Sequence, residues 1–228
     1  MKVNNIQKRF NNVATSKTFK IIRNYFNFET KKVLDLGCGY GEYLSLCGKG
    51  SLGITSTPSE VKLARSKGLN VFYGNVEELE VLKIEQVFDV IWANNLFEHL
   101  LSPHSFLIKL KKISNKNTVL ILGVPVIPKI NFLLNFKKFR GSLASNHINF
   151  FSINCLKLTV ERSGWDIIKV SPFFVKFFCL DWLWNLFSPH VYIIAHNNRN
   201  FVYPSKKIKE WGSDPYYKNL FKIVKIKK

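Results

Sequence analysis

Short apolar runs recur along the chain at intervals that suit strands alternating with helices. KKVLDLG, SLGIT, NVFYG, FDVIWAN and TVLILGVP predict strands near residues 32–36, 51–55, 69–73, 87–92 and 118–124. The last is a continuous apolar run, as a strand covered on both faces requires. Between the runs, apolar positions fall at helical spacing, as Leu107, Leu110 and Ile113 do. Trp165–Phe174 and His190–His196 supply two further strands. Ser152 caps a helix that packs through Leu156, Leu158 and Val160 and stops at Ser163-Gly164. Alternation of this kind predicts one α/β domain, a mostly parallel sheet of seven strands with helices on both faces. At 228 residues the chain can bury a single core of that type, and no repeat or linker calls for a second.

The chemistry-bearing segment is VLDLGCGYGEYL, Val33 to Leu44. Gly37, Gly39 and Gly41 let the backbone turn tightly and meet a ligand with no Cβ in the way. A helix expected to open at Gly41 aims its free N–H groups into the same crevice, making a nucleotide-type site at a strand's carboxyl end. This pattern resembles motif I of the class I S-adenosylmethionine-dependent methyltransferases, in particular those of small molecules and glycans. The resemblance spans roughly Lys31 to Asn197 and implies a Rossmann-like sheet whose last strand is antiparallel. It also implies S-adenosyl-L-methionine as cofactor, its amino-acid part wrapped by Gly37, Cys38, Gly39 and Gly41 and met by Asp35 directly or through water.

Further positions follow from the resemblance. An acid is expected at the end of the second strand to bond the ribose hydroxyls, but Thr55 stands there, 20 residues beyond Asp35, and offers a hydroxyl without charge. In GNVEEL, Asn75 or Glu77 would bond the adenine amine while the Val76 backbone meets the ring; Glu77 equally suits the first turn of a helix. After the fourth strand, the Ala93–Asn95 backbone, Asn94 included, would pass beneath the sulfonium, with Glu98-His99 closing the floor. For His99, catalysis stands beside a plain bond to a loop carbonyl. Ser102 is a plausible cap for the helix that Pro103 opens. His147, in NHINFFS just before the Ser152 cap, is the leading base for an acceptor hydroxyl, because imidazole titrates near neutrality.

Charge then divides the chain. Residues 1–32 carry +7, residues 33–98 carry −4 and residues 99–228 carry +16, so the acceptor-side half is strongly basic. The physical expectation is an anionic partner, whether a phosphorylated or lipid-linked acceptor, RNA, or a membrane surface in peripheral contact; a lysine-biased composition gives the same total. The domain plan is residues 1–30 as a helical cover, 31–197 as the methyltransferase domain with acceptor-side insertions at 125–147 and 171–189, and 198–228 as a basic tail. In the first insertion Ile130, Phe132, Leu133, Leu134 and Phe136 interleave with Lys129, Lys137, Lys138 and Arg140, a pattern open to core packing, substrate closure or an interfacial helix on lipid. The second packs six Phe or Trp residues between Phe173 and Trp184 as a water-excluding cover, interrupted by Lys176, Asp181 and Asn185 and so unfit to span a membrane.

Cys38, Cys47, Cys155 and Cys179 show no metal-ligand spacing, so no metal is expected, and no secretory leader opens the chain; the cytoplasm is the expected compartment. The sequence Trp92-Ala93-Asn94-Asn95-Leu96 stands where base N-methyltransferases carry Asn/Asp-Pro-Pro-aromatic, which favours an oxygen acceptor on a small molecule or saccharide. The other readings are an RNA methyltransferase and a cofactor-weak scaffold of the same fold. The oligomeric state is left open.

Overall fold

In the computed structural model, residues 3–174, 178–206, 210 and 225–226 are described. Helices α1 (Val3–Thr15) and α2 (Lys17–Tyr25) precede strands β1 (Val33–Leu36), β2 (Leu52–Thr55), β3 (Val71–Tyr73), β4 (Val90–Asn94) and β5 (Val119–Ile127). Helix α3 (Pro58–Ser66) joins β2 to β3, and α4 (Pro103–Leu110) joins β4 to β5. Then come the two-residue β6 (Phe151–Ser152), α5 (Ile153–Arg162), β7 (Trp165–Ser171), α6 (Asp181–Phe187) and β8 (His190–Asn197). A small parallel pair, β9 (Val202–Tyr203) with β10 (Lys225–Ile226), lies apart from the main sheet.

The sheet runs β3-β2-β1-β4-β5-β8-β7, and β8 is antiparallel to both of its neighbours. β6 pairs parallel with the far end of β5, an eighth short strand beyond the seven expected. Strand order reverses direction between β1 and β4, whose register sets Val33 against Val90 and Leu36 against Ala93. Ligands bind α/β sheets outside the carboxyl ends of strands at such a switch point.

Alternation along each strand builds a core on either face. On one face Leu34, Leu36, Ile91 and Ala93 pack with Phe97, Phe106 and Leu107. On the other, Trp92, Ile121 and Tyr192 meet Phe19 and Ile22 of α2, so the N-terminal helices are fixed to the sheet by an aromatic cluster. Trp92 stacks on Tyr192 with centroids 5.7 Å apart and meets Phe28 edge-on at 5.6 Å.

Several local expectations are corrected. No α-helix opens at Gly41: one Ser45 N–H to Gly41 C=O bond is followed by a 3-10 turn, Leu44–Leu46. Gly48 then takes the chain against α2's end, its N–H bonded to the Phe28 carbonyl, and β2 begins at Leu52 before a helix has length to form. The hydroxyl of Ser102 makes no cap bond; the Glu77 carboxylate instead ties down the residues that lead into α4, accepting from Leu101 and Ser102 N–H at 2.9 and 2.8 Å. Ser152 caps α5 as expected, accepting from Cys155 N–H, but Leu158 points outward at 46% exposure. The insertion at 130–143 is not a helix but three 3-10 turns, with Phe132 and Phe136 exposed and edge-to-face at 5.7 Å. In the second insertion α6 takes up Asp181–Phe187; residues 175–177 of its aromatic run, and 207–209, 211–224, 227 and 228 of the tail, lie outside the described residues.

Candidate active site

A cleft of about 330 Å³ opens at the switch point. Its walls are Gly37, Cys38, Gly39, Glu42 and Tyr43 of the glycine loop, Asn94 and Asn95 at the end of β4, and Arg9, Asn12 and Val13 of α1. Gly37 and Gly39 hold φ of +72° and +54°, and a Cβ on Gly37 would lie 3.1 Å from Leu96. The loop is therefore restricted to glycine by conformation as well as by space.

Asp35 does not reach the cleft. It is buried at the end of β1, one carboxylate oxygen bonded to Leu44 N–H and the other without a partner among the described residues. Burial, then the neighbouring Glu42, push its carboxyl up to about 8, against the opposing pull of the Leu44 amide. The acid on the cleft wall is Glu42, 5% exposed and ion-paired with Arg9, whose guanidinium also lies over the Tyr40 ring at 5.0 Å. Burial first and then Asp35 and Glu42 hold the Tyr43 phenol protonated, at about 12, and its oxygen accepts from Asn94 Nδ2 at 3.1 Å. Asn94 Oδ1 has no hydrogen-bond partner among the described residues, and a Cβ on Gly123 would sit 2.2 Å from it. Gly123 is thus the space that Asn94 occupies in the middle of an apolar strand.

Cys38 turns its thiol inward, so that a Cβ on Gly53 would meet Sγ at 2.7 Å; only its backbone serves the cleft. Burial, followed by Asp35, Glu60 and Glu42, pushes that thiol up. Gly41 faces Leu69 rather than the cleft. Thr55 is buried at the carboxyl end of β2 and donates its hydroxyl to Glu60 of α3 at 2.6 Å. Glu60 therefore brings to this edge the negative charge that position 55 lacks. Asn75 is exposed beyond β3, its Oδ1 accepting from Glu77 N–H at 3.0 Å, while Val76 is buried. Glu77 is engaged elsewhere, each carboxylate oxygen accepting a backbone N–H ahead of α4.

The 3-10 turn Phe97–His99 follows the Asn94-Asn95 wall directly. There the structure brings His99, His147 and Glu98 together: Glu98 Oε1 is 3.8 Å from His99 Nε2 and 3.9 Å from His147 Nε2. His99 Nδ1 bonds the Asn146 carbonyl and His147 Nδ1 the Ser142 carbonyl. The bond of His99 is the plain loop contact anticipated for it, yet its other nitrogen faces a carboxylate. Burial pushes the Glu98 carboxyl up, against its own amide and the two imidazoles.

Sequence reasoning missed Arg9, Glu42, Tyr43 and Glu60, together with His190. His190, across from Pro125 on β8, donates Nε2–H to Asn95 Oδ1 at 3.0 Å, and burial lowers it to about 4, a neutral imidazole. Asn95 itself holds a left-handed φ of 51°. The Glu42 carboxylate and Tyr43 phenol were present in the glycine-loop segment; Arg9 and His190 carried no local signal.

A glycine loop at the switch point of a sheet with one antiparallel insertion defines a class I methyltransferase architecture. A methyltransferase-domain family model matches residues 10–170, and the chain belongs to that family, whose cofactor is S-adenosylmethionine. Two curated relatives are similar. A tRNA U34 carboxymethyltransferase of Aliarcobacter butzleri is 29% identical over 67% of this chain and 53% of its own length. A ubiquinone biosynthesis O-methyltransferase of Maricaulis maris is 32% identical over 36% and 35%. The chain spans about half or less of the length of these relatives. Among solved structures, an S-adenosylmethionine-dependent methyltransferase from Clostridium acetobutylicum shares the fold with a TM-score of 0.61 at 12% identity, covering 86% of this chain and 98% of that one.

Proposed function

We propose that the chain catalyses S-adenosylmethionine-dependent O-methylation of an anionic small-molecule or saccharide acceptor. The observation that carries this reading is the convergence, on one cleft, of the glycine loop, the Arg9–Glu42 pair and the Asn94-Asn95 wall. The residues fit the cofactor: Arg9 is the cation for its carboxylate and Glu42 the anion for its ammonium. Backbone at Gly37, Cys38 and Gly39 holds the chain between them. Thr55 with Glu60 takes the ribose hydroxyls. Asn75, whose Oδ1 retains a second lone pair, and the Val76 backbone take the adenine. Asp35 supports the loop from below through Leu44 N–H.

When bound, the cofactor supplies a methyl group already made electrophilic by its sulfonium, so the protein's work is orientation, exclusion of water and activation of the acceptor oxygen. Asn94, held by Tyr43, and Asn95, held by His190, fix the wall beside which that oxygen must lie. His147, with Glu98 and His99, is the activating group, its Nε2 the site that takes the hydroxyl proton. The basic acceptor-side half supplies attraction for an anion. The RNA alternative draws on that charge and on the tRNA-acting relative. The four cysteines are free, which accords with a reducing compartment such as the cytoplasm, and no helix among the described residues is long and apolar enough to cross a membrane.

The test is methyl transfer from labelled cofactor to a panel of phosphorylated and carboxylated hydroxy compounds, saccharide phosphates and mixed RNA. Transfer to an oxygen of a small acceptor supports the proposal; transfer to RNA alone, with affinity falling steeply in salt, overturns its acceptor class. In parallel, Arg9→Ala should weaken S-adenosylhomocysteine roughly ten- to a hundredfold, since a charge-assisted bond is lost and Glu42 is left without its counter-charge.

A further inference from the structure

Glu98, His99 and His147 hold three ligand atoms within 4.8 Å of one another. Glu98 is 1% exposed, and beyond its own amide neither carboxylate oxygen has a hydrogen-bond partner among the described residues. A buried carboxylate with no donor is costly unless something cationic meets it.

The imidazoles explain what that something must be. A carbonyl only accepts, so the bonds from His99 Nδ1 to Asn146 C=O at 3.1 Å and from His147 Nδ1 to Ser142 C=O at 3.2 Å place a proton on each Nδ1. In a neutral ring this leaves Nε2 as a bare lone pair, and both Nε2 atoms face the Glu98 carboxylate. With both rings neutral and Glu98 ionised, three electron-pair donors thus converge. Carbonyls holding the far nitrogen of a histidine are also the usual outer support of a metal-ligating imidazole. The rings stand edge-to-face, 83° apart, with centroids 4.8 Å from each other.

We propose that Glu98, His99 and His147 bind a divalent transition-metal ion of the zinc type. Two imidazole nitrogens and one carboxylate oxygen are a donor set suited to such ions, and three protein ligands leave a coordination position open. Ligand atoms on a tetrahedral zinc ion lie roughly 3.4 Å apart, given metal–ligand distances of about 2.1 Å, so the carboxylate separations of 3.8 and 3.9 Å need a small contraction, and the two imidazoles, within 4.8 Å of each other, would close further on the ion. His99 is 34% exposed in its side chain and gives an ion a way in. The metal site stands on these residues alone. Its use rests on the proposed methyl transfer: an acceptor oxygen in the open position would have its pKa lowered and lose its proton to solvent. His147 would then act on the acceptor as a ligand of the ion rather than by taking the proton.

The experiment uses the full chain stripped with a chelator and titrated with Co²⁺ and Zn²⁺ alone. One Co²⁺ per chain, with visible ligand-field bands displaced by Zn²⁺, is expected. Glu98→Gln and His147→Ala should each weaken binding at least a hundredfold, while His147→Cys should restore it with a sulfur-to-cobalt charge-transfer band that the parent lacks. That rescue separates ligation from mere folding. Absent bands, or binding unchanged by Glu98→Gln and His147→Ala, overturn the site. Calorimetry with S-adenosylhomocysteine on the same preparations reads the cofactor proposal separately, so either can fail without the other.

Discussion

The hydroxyl of Thr55 and the carboxylate of Glu60 are joined by a 2.6 Å hydrogen bond at the carboxyl edge of β2. On the proposed cofactor site, the pair takes, with two side chains from strand and helix, the place of the single acid that a nucleoside site ordinarily has there. Glu60→Gln should weaken S-adenosylhomocysteine about tenfold, or ~1.4 kcal/mol, by removing the charge from the ribose-facing group. Thr55→Asp in that background should recover most of the loss. Calorimetry on the two variants decides it, and unchanged affinity in Glu60→Gln would remove Glu60 from the site.

The buried Asp35 gives a pH signature. Its folded-state carboxyl sits at about 8, against an ordinary value of 3.8, so the folded chain binds the extra proton between those limits. Stability from this group is complete below the lower value and is lost as pH rises through the upper one. Asp35→Asn keeps an acceptor for Leu44 N–H and cannot ionise. Urea denaturation should therefore show the variant gaining on the parent from pH 5 to pH 8, by on the order of 2–4 kcal/mol. Binding of a cationic ligand above the loop should also expel the proton. Calorimetric enthalpies at pH 7 should then depend on the buffer in the parent and not in Asp35→Asn.

Glu77→Ala should destabilise without weakening the cofactor. The carboxylate serves two N–H groups at the start of α4, so its removal should cost about 1–2 kcal/mol in chemical denaturation. A large fall in nucleoside affinity would instead return Glu77 to the adenine subsite.

What was legible in the sequence was local. The apolar runs gave the strands, because burial on both faces leaves no polar positions to confuse them, and Gly37 and Gly39 marked the loop because their backbone angles demand glycine. The antiparallel pairing of β7 with β8 came with the family resemblance. What escaped depends on distance along the chain. Arg9 reaches Glu42, Glu77 reaches Ser102, and His190 reaches Asn95, contacts that no periodicity encodes. The absent helix at Gly41 failed for a related reason: its boundary is set by the tie from Gly48 to Phe28, outside the motif. The convergence of His99 and His147 on Glu98 likewise depends on a loop folding back some 50 residues later.

Helix α1 contributes Arg9, Asn12 and Val13 to the cleft, while the opposite wall, Asn94 at the end of β4 and Asn95 just beyond it, is made more than 80 residues later. During synthesis the roof therefore exists well before the room. Until β4 is in place, Arg9 has only the loop acid to hold, and the cleft lacks the wall it would need to retain any occupant.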